Sequence, residues 1–236
     1  MYAGLEALTP HARAAYSERV RRYEDAVACR EGDRIVIAPQ VLYLPITLYG
    51  ETTVQQVMED YTCAYGSWVR YHREYQPDLA WGLQSIFSSA FLNELGCTYV
   101  KWPGKHFGNA NAGFQAIDGE HMRQDEYLAY AEDPTGYMLR RLLPRHYEAL
   151  RPLSCIDFSS ILYLGAMYGM APVGSNETMK ALDALVRAGK KARTAADDAA
   201  RLIQLLRNEG WPPASEFVAN VPYDVFSDTM RGMLNT

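Results

Sequence analysis

The sequence predicts an α/β fold assembled from right-handed βαβ units, and three observations carry that expectation. Short apolar runs alternate with longer stretches of helical periodicity along most of the chain. The first run, at 34–39, is continuously apolar and rich in β-branched residues, as a strand covered on both faces would be. No internal repeat, low-complexity tract or Pro/Ser-rich linker breaks the alternation into separate domains.

Taken in order, Thr9-Pro10 is a helix start, a capping oxygen followed by proline at the first helical position. A basic helix follows to about Cys29 and ends at Glu31-Gly32-Asp33. The strand Arg34-Ile35-Val36-Ile37-Ala38-Pro39 comes next. Thr52 with Gln55 forms a capping box for a helix reaching Tyr75, where Gln76-Pro77-Asp78 stops it. A second strand is expected at 79–83 and a third at 98–102, closed by Pro103-Gly104. A Gly/Asn loop occupies 106–111, and 114–117 is extended again. Helices are expected at 125–133, at 135–148 and, rich in Ala and Leu, at 177–208, where Gly189 is placed to bend or split the last. The uncharged stretch 158–176 is interrupted by Gly165, Gly169, Pro172 and Gly174, so it reads as a buried or partner-facing helix rather than a membrane span. A fourth strand is expected at 216–219. Four strands are too few to close a (β/α)8 barrel, which needs eight.

Composition narrows the function. The 236 residues are 48% hydrophobic and 22% charged, which excludes a disordered chain and suffices for a sizeable core. A net charge of −5 disfavours a nucleic-acid partner held through phosphates. Cys29, Cys63, Cys97 and Cys155 are far apart with no metal spacing, and read as buried reduced thiols. The N-terminus carries no apolar segment of signal-peptide type, so a cytoplasmic location is expected. Arg19, Arg21 and Arg22 read as a solvated helix face, and Glu177, Asp183, Asp197 and Asp198 as exposed helix decoration. Tyr61, Tyr65, Trp68, Tyr71 and Tyr75 read as a core stripe.

An ordered set of segments carries a resemblance across most of the chain. It comprises 21–27 leading into 33–39, Tyr49-Gly50-Glu51-Thr52-Thr53, Tyr75-Gln76-Pro77-Asp78, Leu95-Gly96-Cys97 and Lys101-Trp102-Pro103-Gly104. Asp125-Glu126-Tyr127, Leu142-Leu143-Pro144-Arg145 and 221–232 complete it. In this order they resemble the uroporphyrinogen decarboxylase superfamily, nearer its cobalamin-dependent methyltransferase-like anaerobe members. The resemblance implies an incomplete TIM (β/α)8 barrel, an N-terminal helical extension over 1–32 and the first part of the barrel over 33–236. The chain then looks like an N-terminal half, paired as a homodimer or with a complementing C-terminal half.

Within that family the decarboxylases use arginines before a Tyr-Leu-Pro to hold substrate carboxylates. Tyr43-Leu44-Pro45 matches, but Ala38 and Leu42 stand at the arginine places, and no acid stands near Gly82-Leu83-Gln84. Methyl transfer involving a corrinoid or a thiol is therefore the expected reaction, with tetrapyrrole decarboxylation as an alternative. A non-catalytic ligand-binding or interaction module is a further alternative. The resemblance places the zinc ligands of a thiol-activating site beyond Thr236, so no metal ligand is expected within the chain.

Barrel active sites are built from the loops after the strands. Gln40 and Tyr43 follow the first strand and Gln84, with Ser85, the second. The third loop supplies Trp102 as a flat apolar face, with His106, Asn109, Asn111 and Gln115 as donors and acceptors. That mixture suits a tetrapyrrole or corrinoid edge. The competing reading is that these residues pack and cap ordinary loops.

Overall fold

The computed structural model describes residues 7–83, 85–158, 166–214 and 226–232. The chain divides into two compact units: Met1–Ser88 with Asn109–Gly113 and Arg193–Val218, and Ser89–Gly108 with Phe114–Ala192 and Ala219–Thr236.

The first unit opens with α1 (Pro10–Val27), where Thr9 Oγ1 accepts from Ala12 N at 3.2 Å and Pro10 takes the first turn. Leu8, Ala12, Tyr16 and Val20 recur at helical spacing and bury one face. Next come α2 (Leu44–Tyr49) and α3 (Val54–Glu59). The capping box belongs to Thr53 and Gln56, one residue later than the sequence suggests. Asp60 adopts an extended conformation, ends α3 and caps a 3₁₀ turn, so the expected single helix resumes only as α4 (Tyr65–Tyr75). Gln76, at φ 47°, terminates it. Tyr61, Trp68 and Tyr71 of the aromatic stripe are buried, whereas Tyr75 is exposed.

The run at 34–39 forms no strand ladder, and Ile35 is 87% exposed. Instead, Asp78 N donates to Ile37 O at 2.7 Å, Ile37 N donates to the Asp78 carboxylate, and Trp81 Nε1 donates to Ala38 O. Beyond Asp78, Ala80 makes one parallel bridge with Pro213 through two 2.8 Å hydrogen bonds. The first two expected strands thus lie side by side through single bonds. β-Branched residues favour a strand only where a neighbour offers a ladder to pack in. The expected strand at 216–219 lies outside the described residues.

The second unit contains α5 (Ser89–Leu95) and a two-stranded antiparallel pair, β1 (Val100–Lys101) and β2 (Gln115–Ala116), with Val100 opposite Ala116. Among the described residues this pair is the only sheet. Then follow α6 (Tyr127–Glu132), α7 (Pro134–Tyr137), a π turn over Met138–Leu142, α8 (Leu143–His146) and a 3₁₀ segment, Glu148–Cys155. Pro144 explains the wide turn: it has no N–H to give the preceding turn, and its ring presses on the carbonyl four residues back. Met122, Tyr137, Leu142 and Met230 form a core cluster here. α9 (Ala166–Met170) precedes α10 (Asn176–Asn208), which runs through Gly189 as one 33-residue helix. Its residues through Ala192 count with the second unit and those from Arg193 with the first.

Cys97 is buried, and burial pushes its thiol pKa up, but Cys29, Cys63 and Cys155 are exposed, contrary to expectation. They lie at a helix end and in 3₁₀ segments, where small residues reach the surface. Among the described residues no helix is long and apolar enough to cross a membrane.

Candidate functional site

The residues expected to form a ligand mouth fall in both units, and most of them are engaged in local structure. In the first unit, Gln40 Nε2 donates to Ser85 Oγ at 2.7 Å. The Tyr43 ring packs over Gly113, where an added Cβ would meet it at 3.1 Å. Asn109 Oδ1 accepts from Asn111 N, and Asn111 Oδ1 accepts from Val54 N at the start of α3. Both asparagines therefore shape a turn and a helix end, which is what short amide side chains do well. Gln84 lies outside the described residues.

In the second unit, Trp102 is 1% exposed, so it does not offer the stacking face expected for a corrinoid. The His106 ring sits edge-on to it at 4.5 Å, and Lys105 Nζ lies 4.8 Å from the ring centre. Desolvation and then Lys105 lower the His106 pKa below the usual imidazole value. Gln115 is exposed on β2. Among the described residues no group of three or more His, Cys, Asp or Glu could hold a metal ion.

A different constellation stands out in this unit. Glu126 is buried and accepts five hydrogen bonds. Arg145 grips both of its oxygens at 2.7 Å, Arg141 Nη1 donates at 3.0 Å, Tyr137 OH donates at 3.0 Å, and Arg123 N donates at 2.8 Å. Tyr137, Arg141 and Arg145 are four residues apart along one helical path, which sets them on one face. Arg145 Nη1 also donates to His121 O, tying the fork to the loop before the turn that bears Glu126. The Arg145 hydrogen bonds, above all, hold the Glu126 carboxyl well below the usual range, so it is ionised. Burial and the neighbouring Glu126 push the Tyr137 phenol up to about 12.

This hub floors a cleft of about 750 Å³. Five arginines line it, Arg123, Arg140, Arg141, Arg145 and Arg151, with Glu126, Pro144 and Ser154. One carboxylate among five guanidinium groups leaves donors to spare, and guanidinium forks match carboxylate and phosphate oxygens. Such an arrangement is chemically suited to pairing with anions. The sequence carries its signal, because Arg140, Arg141, Arg145 and Arg151 crowd a stretch whose one acid is Glu148, in a chain of net charge −5. The Glu126 partner, fifteen or more residues away, carries no such mark.

No protein family matches the chain, and no curated protein or solved structure matches it.

Proposed function

We propose that this chain is a ligand-binding protein of the uroporphyrinogen decarboxylase superfamily, on its methyl-transfer side, and that the arginine cleft holds the acid groups of its ligand. The observation that carries the binding role is the excess of guanidinium groups over carboxylates around Glu126. Two of the segments behind the resemblance, Asp125-Glu126-Tyr127 and Leu142-Leu143-Pro144-Arg145, meet in this hub. The Ala80–Pro213 bridge and the Asp78–Ile37 hydrogen bonds are what support a partial parallel barrel.

On this reading the ligand is of the tetrapyrrole or corrinoid class. A thiol-activating zinc is held by a complementing polypeptide rather than by this chain, and the protein is cytoplasmic. The described residues of this chain offer neither the metal donor set nor an open Trp102 face, so no step is assigned to a corrinoid or a metal here. Tetrapyrrole decarboxylation is the second reading. The observation favouring it is that the cleft supplies carboxylate clamps which Ala38 and Leu42 do not.

The test is a titration of the purified chain with uroporphyrin and, separately, hydroxocobalamin, followed by absorbance. A saturable shift that weakens in Arg141→Ala and at high salt is expected for the carboxylated ring. Unchanged spectra for both at high protein concentration overturn the proposal.

A further inference from the structure

The binding role proposed above rests on an excess of guanidinium groups; how those groups are spent defines the ligand. Glu126 consumes the Arg145 fork and one Arg141 nitrogen. The side chain of Arg123 has no carboxylate partner among the described residues. Arg140 approaches Asp133 only at 3.5 Å and gives its Nε–H to Gly136 O at 3.3 Å, which leaves its other donors loosely held. Arg151 likewise meets Glu148 at 3.5 Å, with both side chains more than 60% exposed. Loose, solvated pairs of this kind contribute little and are readily exchanged. Four guanidinium groups therefore retain unspent donors around one opening.

A single carboxylate occupies one fork, or bridges two. Four partly free forks exceed what one acid group can use, and their mutual repulsion favours a ligand that neutralises several of them at once. The remaining lining decides what else the ligand carries. Pro144 is its one apolar residue and Ser154 its one hydroxyl, and no aromatic ring lines the cleft among the described residues. Planar macrocycles are held mostly by apolar and aromatic walls, which are not offered here.

We infer that the cleft is a clamp for two or more oxyanion groups on one flexible ligand, read through those groups alone and not through a ring. The shared chemistry is that of a polycarboxylate or a diphosphoryl group. It could come from a small free polyanion, or from the acid arms of a tetrapyrrole whose ring lies outside the cleft. Glu126 is the positioning residue: it aims Arg141 and Arg145 without touching the ligand.

Calorimetry on the full chain at fixed ionic strength tests this with citrate, pyrophosphate, inorganic phosphate and acetate. Citrate or pyrophosphate is expected to bind at least tenfold more tightly than acetate or phosphate. The double variant Arg140→Ala/Arg151→Ala, with its circular dichroism unchanged, should bring that ratio below threefold. Competition of uroporphyrin with citrate then assigns the oxyanions to tetrapyrrole arms, and its failure to compete assigns them to a free polyanion. If all four anions bind with the same affinity, the clamp is overturned while anion binding stands. If none binds, the binding role itself falls.

Discussion

Each unit buries a carboxylate among arginines, yet the two clusters differ in how their hydrogen bonds balance. In the first unit, Asp78 is fully buried and accepts from Arg22 Nη1 at 2.6 Å, from both Arg34 Nη atoms at 2.6 and 2.7 Å, and from Ile37 N at 2.8 Å. Arg22, also buried, spends its remaining donors on Asp33, at 2.8 and 2.6 Å, and on Glu18 at 2.8 Å. Arg22 holds the Asp33 carboxyl down at about 2. Three carboxylates answer two guanidinium groups, and the knot fastens the loop after α1 to the end of α4. In the second unit five arginines meet one buried carboxylate, Glu126, and two solvated ones, Asp133 and Glu148, each only at 3.5 Å. The same chemistry is structural where acceptors keep pace with donors, and leaves donors for an added anion where donors run ahead, as the proposed function requires.

The largest expected effect is on the closed cluster. Asp78→Ala removes the fully buried carboxylate shared by Arg22 and Arg34, leaving the buried Arg22 Nη1 unpaired, and it removes the anchor of Ile37. Breaking a buried ion pair from one side costs roughly 3–5 kcal/mol. The urea midpoint should fall accordingly, with citrate affinity in the second unit unmoved at low denaturant. A midpoint equivalent to less than about 1 kcal/mol of loss would mean that the knot is ornamental.

Next in size is Glu126→Gln. The amide keeps the shape of the hub but cannot anchor two forks, and a buried group left unsatisfied costs about 1–3 kcal/mol. Citrate affinity is expected to fall even though net positive charge in the cleft rises. A tenfold gain in affinity would show instead that Glu126 competes with the ligand.

Part of this contrast was legible along the chain and part was not. The Thr9-Pro10 start, the stop after Tyr75 and the long Ala/Leu helix were readable, because caps and helical periodicity are local properties. The 34–39 run failed as a strand because a ladder depends on partners far along the chain. Arg22 reads as a solvated residue within its own helix; it is buried because Asp78, 56 residues away, reaches it. Trp102 suggested an open stacking face, and only its folded surroundings show that it is covered. Asp198, expected as exposed decoration on the long helix, is buried for the same reason. The arginine density at 140–151 was visible in the sequence, but not that it converges on Glu126.

Acid should weaken both units by a shared route. His72 in the first unit and His146 in the second are buried, and burial lowers each pKa from 6.5 to about 4. Between those values the unfolded chain binds a proton that the folded chain refuses. Stability is therefore complete above about pH 6.5 and declines as pH falls towards 4, by up to about 1.4 kcal/mol per pH unit for each histidine. His146→Phe should flatten the second unit's share of that decline, read from urea midpoints at pH 7 and pH 5. An unchanged slope would place the acid sensitivity elsewhere.

The smallest effect on stability, and the sharpest on function, is expected for Arg123→Ala. Its side chain is exposed and pairs with no carboxylate among the described residues, while its backbone N–H, which the substitution keeps, still donates to Glu126. Surface changes of this kind move stability by no more than about 0.5 kcal/mol. The same change removes one spare fork from the cleft, and a hydrogen bond to a charged group contributes about 1.5–3 kcal/mol. Citrate binding should weaken by roughly tenfold or more while the urea midpoint stays put. Arg19→Ala gives the matched control in the first unit, where the guanidinium is already committed to Gly210 O and Gln76 Oε1 and stacks over Trp211. There the midpoint should move and citrate binding should not. If both substitutions shift the midpoint alone, spare donors in the second unit are no more functional than balanced ones in the first.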